Sequence, residues 1–114
     1  MVTLNVIREL LADLPGVKEG FSYGTRAFSV RRKLIARMHQ KEDAVVVRTD
    51  FGEREKLMQS NPLTYYITDH YLNYPWVLVR LPTVQREELR DLLVKAWRRG
   101  ASKSQIAEYE SRGK

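Results

Sequence analysis

The sequence predicts an α+β domain: a two-layer, mainly antiparallel five-stranded sheet with helices packed on it, in the order α-β(3)-α-β(2)-α. Three observations carry that expectation. Leu4, Ile7, Leu11 and Leu14, and later Leu89, Leu92, Leu93, Ala96 and Trp97, recur at helical spacing. Between these helices lie short runs rich in β-formers that alternate at period two. The connections between the first three of these runs are too short for parallel crossovers, so those strands form an antiparallel meander. Strands punctuated by helices suit one mainly antiparallel sheet.

Taken in order, Thr3 is placed to cap the first helix, which Pro15-Gly16 ends. Val17–Thr25 reads as a loop, with Gly20 and Gly24 bracketing Phe21-Ser22-Tyr23 and permitting a tight bend. Three strands follow at Ala27–Val30, Leu34–His39 and Ala44–Thr49, with Phe28/Val30, Leu34/Ala36/Met38 and Val45/Val47 facing the core. Asp50 and Glu53 form a capping box that opens a second helix, stopped at Asn61-Pro62. Tyr65–Thr68 and Trp76–Leu81 are two more strands around an aromatic loop. Thr83 is the expected N-cap of the last long helix, and Gly100 its C′ residue. Ser102 and Gln105 repeat the capping box, which predicts a weak final turn within 102–110 and a frayed end at 111–114.

The chain has 114 residues, 43% of them hydrophobic, enough for a single domain with an ordinary core. It has no cysteine, which excludes disulfides, thiol nucleophiles and Cys-based zinc sites. No apolar run approaches a membrane span and no signal-peptide pattern precedes the first helix, so a cytoplasmic protein is expected. The net charge is +6, and residues 20–41 hold six cations and no acid. Such a segment points to anionic partners, nucleic acid first, against the alternative of a merely solubilising surface.

Several blocks stand in a distinctive order and spacing: Leu14-Pro15-Gly16-Val17 with Glu19-Gly20, Tyr23-Gly24-Thr25, Phe28, and Lys33-Leu34 with Ala36-Arg37. Tyr66 through Tyr71, Tyr74 through Leu81, and Glu88-Leu89 through Ala96-Trp97 complete the set. Together they resemble the MmcQ/YjbR-like family of small bacterial proteins. The resemblance implies a fold similar to bacterial frataxin (CyaY-like) or the secretion chaperones, and DNA binding through a double wing of hairpins. Where the family pattern has proline after Gly-Thr this chain has Arg26, and where it has glycine in the first hairpin turn this chain has Arg31-Arg32. Both changes add cations to the wing. Arginines avoid the positive φ that glycine allows, so the turn itself is expected to depart from the glycine geometry. Frataxin-like iron binding does not carry over, because the first helix offers only Glu9 and Asp13.

The candidate nucleic-acid contacts are therefore Arg26, Arg31, Arg32, Lys33 and Arg37, a basic β-ribbon for the phosphates of duplex DNA. Alternation places Arg37 away from Leu34, Ala36 and Met38. Tyr23 and, from the aromatic loop 65–76, His70, Tyr71 and Tyr74 are candidates for a ligand or partner site. Against these stand a solubilising hairpin edge and an aromatic loop folded back as a core lid. A protein-interaction or chaperone-like module, dimeric and exposing a groove near Tyr65, Tyr71 and Tyr74, is the rival function. No catalytic residue, metal ligand or cofactor is expected: Ser22 has no nucleophile elbow, Asp69-His70 are adjacent, and no phosphate-cradling glycine spacing occurs.

Overall fold

In the computed structural model, which describes residues 1–39, 41 and 43–112, six strands form one antiparallel sheet. Helix α1 (Leu4–Ala12) precedes β1 (Val17–Ser22), β2 (Thr25–Val30), β3 (Lys33–Met38) and β4 (Ala44–Arg48). Then come α2 (Phe51–Ser60), β5 (Tyr65–Tyr66), a 3-10 turn (Asp69–Tyr71), β6 (Trp76–Arg80), α3 (Arg86–Gly100) and α4 (Lys103–Arg112). The strand order is β1-β2-β3-β4-β6-β5, so β6 crosses to the far side of β4 and leaves β5 at the edge.

The sixth strand is the main departure from expectation. Val17–Ser22, read as a loop, pairs along its whole length with β2, from Val17 opposite Val30 to Ser22 opposite Thr25. As an edge strand it needs only one apolar face, and Lys18, Glu19, Gly20 and Ser22 hide its alternation. The β1–β2 turn is Tyr23-Gly24, both at positive φ (53° and 77°), the geometry of a two-residue hairpin.

One face of the sheet carries the core. Val17, Phe28, Val30, Ile35, Ala36, Val45, Val47, Tyr65, Val77 and Val79 meet Ile7 and Leu11 of α1 and the stripe Leu89, Leu92, Leu93, Ala96 and Trp97 of α3. Trp97 is 0% exposed and donates its indole N–H to the Pro15 carbonyl at 2.9 Å, so the chain break after α1 is stitched to α3. Gly100 is the last residue of α3 rather than a C′ residue, and space explains it. A Cβ there would lie 2.9 Å from Val30 Cγ1 and 3.3 Å from Lys33 Cβ, so only glycine lets the helix end press on the β2–β3 hairpin.

The alternation proposed for β3 is broken by a bulge. Ser29 pairs with Leu34 and Phe28 with Ala36, leaving Ile35 as the extra residue. Ile35 and Ala36 both enter the core, while Leu34 and Arg37 come to share the opposite face. Arg37 is on the side expected; Leu34 is not.

The helix ends follow local chemistry. Thr3 and Asp50 accept from Val6 N and Glu53 N as N-caps. Glu53 does not turn back onto Asp50 but pairs with Lys95 at 2.9 Å, drawn by the stronger charge. Helix α3 starts at Arg86 with Gln85 at its N-cap, while the Thr83 hydroxyl is spent on Thr64 at 2.8 Å. Ser102 and Gln105 complete a reciprocal box at 3.1 and 2.8 Å, and α4 is ten residues long, longer than the weak turn expected. Tyr109 stacks edge-on to Trp97 with centroids 5.2 Å apart, which anchors that helix. Of the expected frayed end, Ser111 and Arg112 are helical; 113–114 lie outside the described residues.

Candidate nucleic-acid interface

The face of the sheet away from α1 and α3 is covered only in part. A second small core forms there, where Val46, Leu78 and Tyr71 pack with Tyr66, Ile67 and Trp76. It is the segment after β5 that supplies the cover, folding back over β4 and β6. Tyr65 and Tyr66 point to opposite faces, as period two requires. Tyr65 is buried on the helix side, its hydroxyl 2.9 Å from Glu88 Oε2. Burial, and then the Glu88 carboxylate, push the Tyr65 phenol well above its ordinary range. It therefore takes no part in the groove proposed near Tyr65, Tyr71 and Tyr74.

What holds the cover in place is a residue that sequence reasoning passed over. Arg54, in the charged helix α2, is only 6% exposed. Its guanidinium donates to four carbonyls of the covering segment: Tyr71 at 2.9 Å, Tyr74 at 2.6 Å, Trp76 at 3.2 Å and Leu72 at 3.1 Å. The planar fork of arginine is suited to bind several acceptors at once, and Phe51 lies against its other side at 4.9 Å. The only signal in the sequence is its spacing: Phe51, Arg54, Leu57 and Met58 share one helical stripe.

Where the cover meets β3 and β4 it leaves a cavity of about 270 Å³. Leu34, Val46 and Trp76 line it with Arg37, Tyr71, Tyr23, His70 and Tyr74. All four residues of the expected ligand or partner site are thus brought together, with Arg37 among them. Their roles differ. Tyr71 is buried as a wall, and its hydroxyl accepts a hydrogen bond from Arg37 Nη2. Tyr23 is 78% exposed and Tyr74 56%. The Arg37 guanidinium lies 5.3 Å from the Tyr23 ring centroid and 5.8 Å from that of Tyr71. The His70 ring meets Tyr71 edge-on at 4.8 Å and lies 6.4 Å from Tyr74.

Apart from Lys18, Lys56, Arg90 and Lys103, exposed singly on β1, α2, α3 and α4, most cations fall into two groups. On the helix side, Arg8 and Arg26 share Glu19, Arg86 pairs with Glu9, Arg98 with Glu110, Arg99 with Asp50, and Arg112 with Glu108. Arg26 faces that side because its partner across β1 is Phe21, whose ring it covers at 4.3 Å. The structure thus separates Arg26 from the other candidate contacts. Two carboxyls show the pairing as lowered pKa: Glu19 chiefly through the Arg8 hydrogen bond, Asp50 chiefly through the Glu53 backbone N–H.

The second group has no carboxylate partner among the described residues. Arg31 and Arg32 form the whole tip of the β2–β3 turn and are exposed. Both adopt positive φ, 52° and 67°, so the turn takes the left-handed pair that glycine would favour and that arginine was expected to avoid. Such a pair matches the twist of the flanking strands in a two-residue hairpin loop. Lys33 packs its stem against α3 beside Gly100. On the sheet face below the tip, Arg37 lies by the cavity, Arg48 lies 5.9 Å from the Trp76 ring and Arg80 lies 4.0 Å from Tyr66. Each of these three arginines is thus laid by an aromatic ring.

A small α+β domain with a basic hairpin and an arginine-on-aromatic sheet face defines the class. The chain belongs to the YjbR family, whose model matches residues 12–99. A crystal structure of Deinococcus radiodurans protein DR2400, with a DUF419 domain, superposes with a TM-score of 0.77 at 25% identity, over 96% of this chain and 89% of that one. Uncharacterized proteins Rv2570 of Mycobacterium tuberculosis and Mb2600 of Mycobacterium bovis are each 35% identical over 68 residues, 59% of this chain and 53% of theirs. The chain thus spans about half the length of these curated relatives in the matched region. No described helix is long and apolar enough to cross a membrane, and no group of three His, Asp or Glu side chains among the described residues could hold a metal ion.

Proposed function

We propose that this protein is a non-enzymatic DNA-binding domain that sets its β2–β3 hairpin tip on the phosphate backbone of the duplex. The observation that carries the reading is the cluster of unpaired cations at and beside one hairpin. Ion pairs neutralise Arg8, Arg26, Lys95, Arg98 and Arg99, whereas Arg31, Arg32, Lys33, Arg37 and Arg48 have no carboxylate partner among the described residues. Unpaired cations on a projecting β-ribbon suit phosphate, and a two-stranded ribbon fits a major groove. A merely solubilising hairpin has no need of two arginines at strained positive φ.

If about four of these five cations each meet one phosphate, log K falls with log salt at a slope near −3.6, at about −0.9 per phosphate. Non-specific dissociation constants fall at about 10⁻⁴–10⁻⁶ M at physiological salt. Fluorescence anisotropy with a labelled duplex tests this at several salt concentrations. Arg31→Glu with Arg32→Glu should flatten the slope by about 1.8 and weaken all sequences alike. Equal, salt-insensitive titrations of wild type and double variant would sink the reading and favour a protein-interaction module.

A further inference from the structure

The cavity between Arg37 and the aromatic cover lies away from the hairpin tip, and it is built for a ligand. Its floor is apolar: Leu34, Val46 and Trp76. Into it projects one half-buried guanidinium, Arg37, with no carboxylate among the lining residues. One of its nitrogens is held by the Tyr71 hydroxyl, and Nη1 has only a long 3.5 Å contact to the Met38 carbonyl. A cation fixed in direction and left without a counter-charge selects an anion. The rim is aromatic. Tyr74 and His70 stand on one side, and Tyr23 on the other. Tyr23 is an exposed tyrosine at φ 53°, a conformation costing about 1 kcal/mol or more, where asparagine or glycine would serve the turn better. Its ring buries little surface and is spent beside Arg37.

An apolar floor, flat exposed rings and a single fixed cation together fit one ligand chemistry: a planar heteroaromatic ring joined to an anionic group. We propose that this cavity seats one nucleotide unit, its base against the rings of Tyr74, His70 and Tyr23 and its phosphate at Arg37. The volume, about 270 Å³, admits one such unit and no more. The register supports a strand as the source as well as a free nucleotide. Arg48 and Leu34 lie between the hairpin tip and Arg37 on the same face, over about 17 Å at 3.3–3.4 Å per residue. This inference rests on the phosphate-binding reading only in taking phosphate as the anion.

The test is a titration of the full chain with adenosine 5′-monophosphate, adenosine, ribose 5-phosphate, a short single-stranded oligodeoxyadenosine and a duplex, followed by amide NMR and Trp76 fluorescence. The monophosphate should shift resonances of Tyr23, Arg37 and residues 70–76, and bind more tightly than either half-ligand alone. Tyr74→Ala, an exposed change whose thermal melt should match wild type, should weaken the monophosphate and the single strand about 5- to 150-fold, as loss of one stacked base does, and leave duplex affinity unchanged. Single-strand binding tighter than that of the monophosphate marks a strand as the source, and equal binding marks the free nucleotide. Arg31→Glu/Arg32→Glu should spare the monophosphate. A wild type that binds no duplex while the monophosphate still seats sinks the hairpin reading alone. A monophosphate that shifts no cavity resonance, or a Tyr74→Ala variant with unchanged affinity for it, overturns the cavity proposal and leaves the hairpin reading standing.

Discussion

The two faces of the sheet are made from the same strands yet solve opposite problems. Toward α1 and α3, the central strands are apolar and closed over: Val45, Val47, Val77 and Val79 are all fully buried. On the other side the same β4 and β6 present Val46 and Leu78 beside Arg48, Arg80 and Trp76. The first face is finished by hydrophobic burial, at about 25 cal/mol per Å². The second is finished by one buried arginine and a set of cation–aromatic contacts, each worth about 0.5–2 kcal/mol. Stability is concentrated where helices pack, which leaves the other side free to keep unpaired charge.

If that division is right, damage to the two faces should differ in kind. The largest effect belongs to the closed face. Trp97→Ala removes a fully buried indole and its hydrogen bond to Pro15, and should cost about 3–5 kcal/mol in a denaturant melt. A loss under about 1 kcal/mol would mean that α3 does not bury its stripe.

On the cover side, Arg54→Met keeps much of the stem's volume but frees four carbonyls, and should cost about 2–3 kcal/mol. Unlike Trp97→Ala, it should also broaden the amide resonances of residues 71–76 while those of α3 stay sharp. Broadening throughout the protein would erase the distinction between the faces.

The smallest effect has the opposite sign. Replacing Arg31-Arg32 by Asn-Gly suits the left-handed turn and should stabilise the fold by about 1 kcal/mol, even as it removes the proposed phosphate contacts. A thermal melt beside the anisotropy titration reads both. A gain in stability without a loss of DNA affinity would separate the strain from the function.

The closed face was far more legible in the sequence than the other. The α3 stripe through Trp97 and the caps at Thr3, Asp50 and Ser102 depend on near neighbours in the chain, and local spacing reveals them. Strand β1 was hidden because an edge strand with one wet face, interrupted by Gly20, loses its period. The bulge at Ile35 is set by pairing with β2, which no stretch of β3 alone records. At the site, Arg31 and Arg32 could be placed because a turn tip admits only solvated side chains. Arg26 groups with the hairpin cations in the sequence because β1, which brings it Glu19 and Phe21, is not legible there as a strand. Arg54 was invisible for a different reason: among Glu53, Glu55 and Lys56 it reads as one more solvated charge, and its four acceptors lie 17 or more residues away.

That single guanidinium also sets how the covering segment comes apart. Because residues 71, 72, 74 and 76 all hang on one side chain, they cannot open one at a time without losing bonds to the same donor. Local unfolding of this segment is therefore a collective event, a small foldon of its own. Its amides should exchange with solvent deuterium at one shared rate, faster than β4 and slower than an unanchored loop.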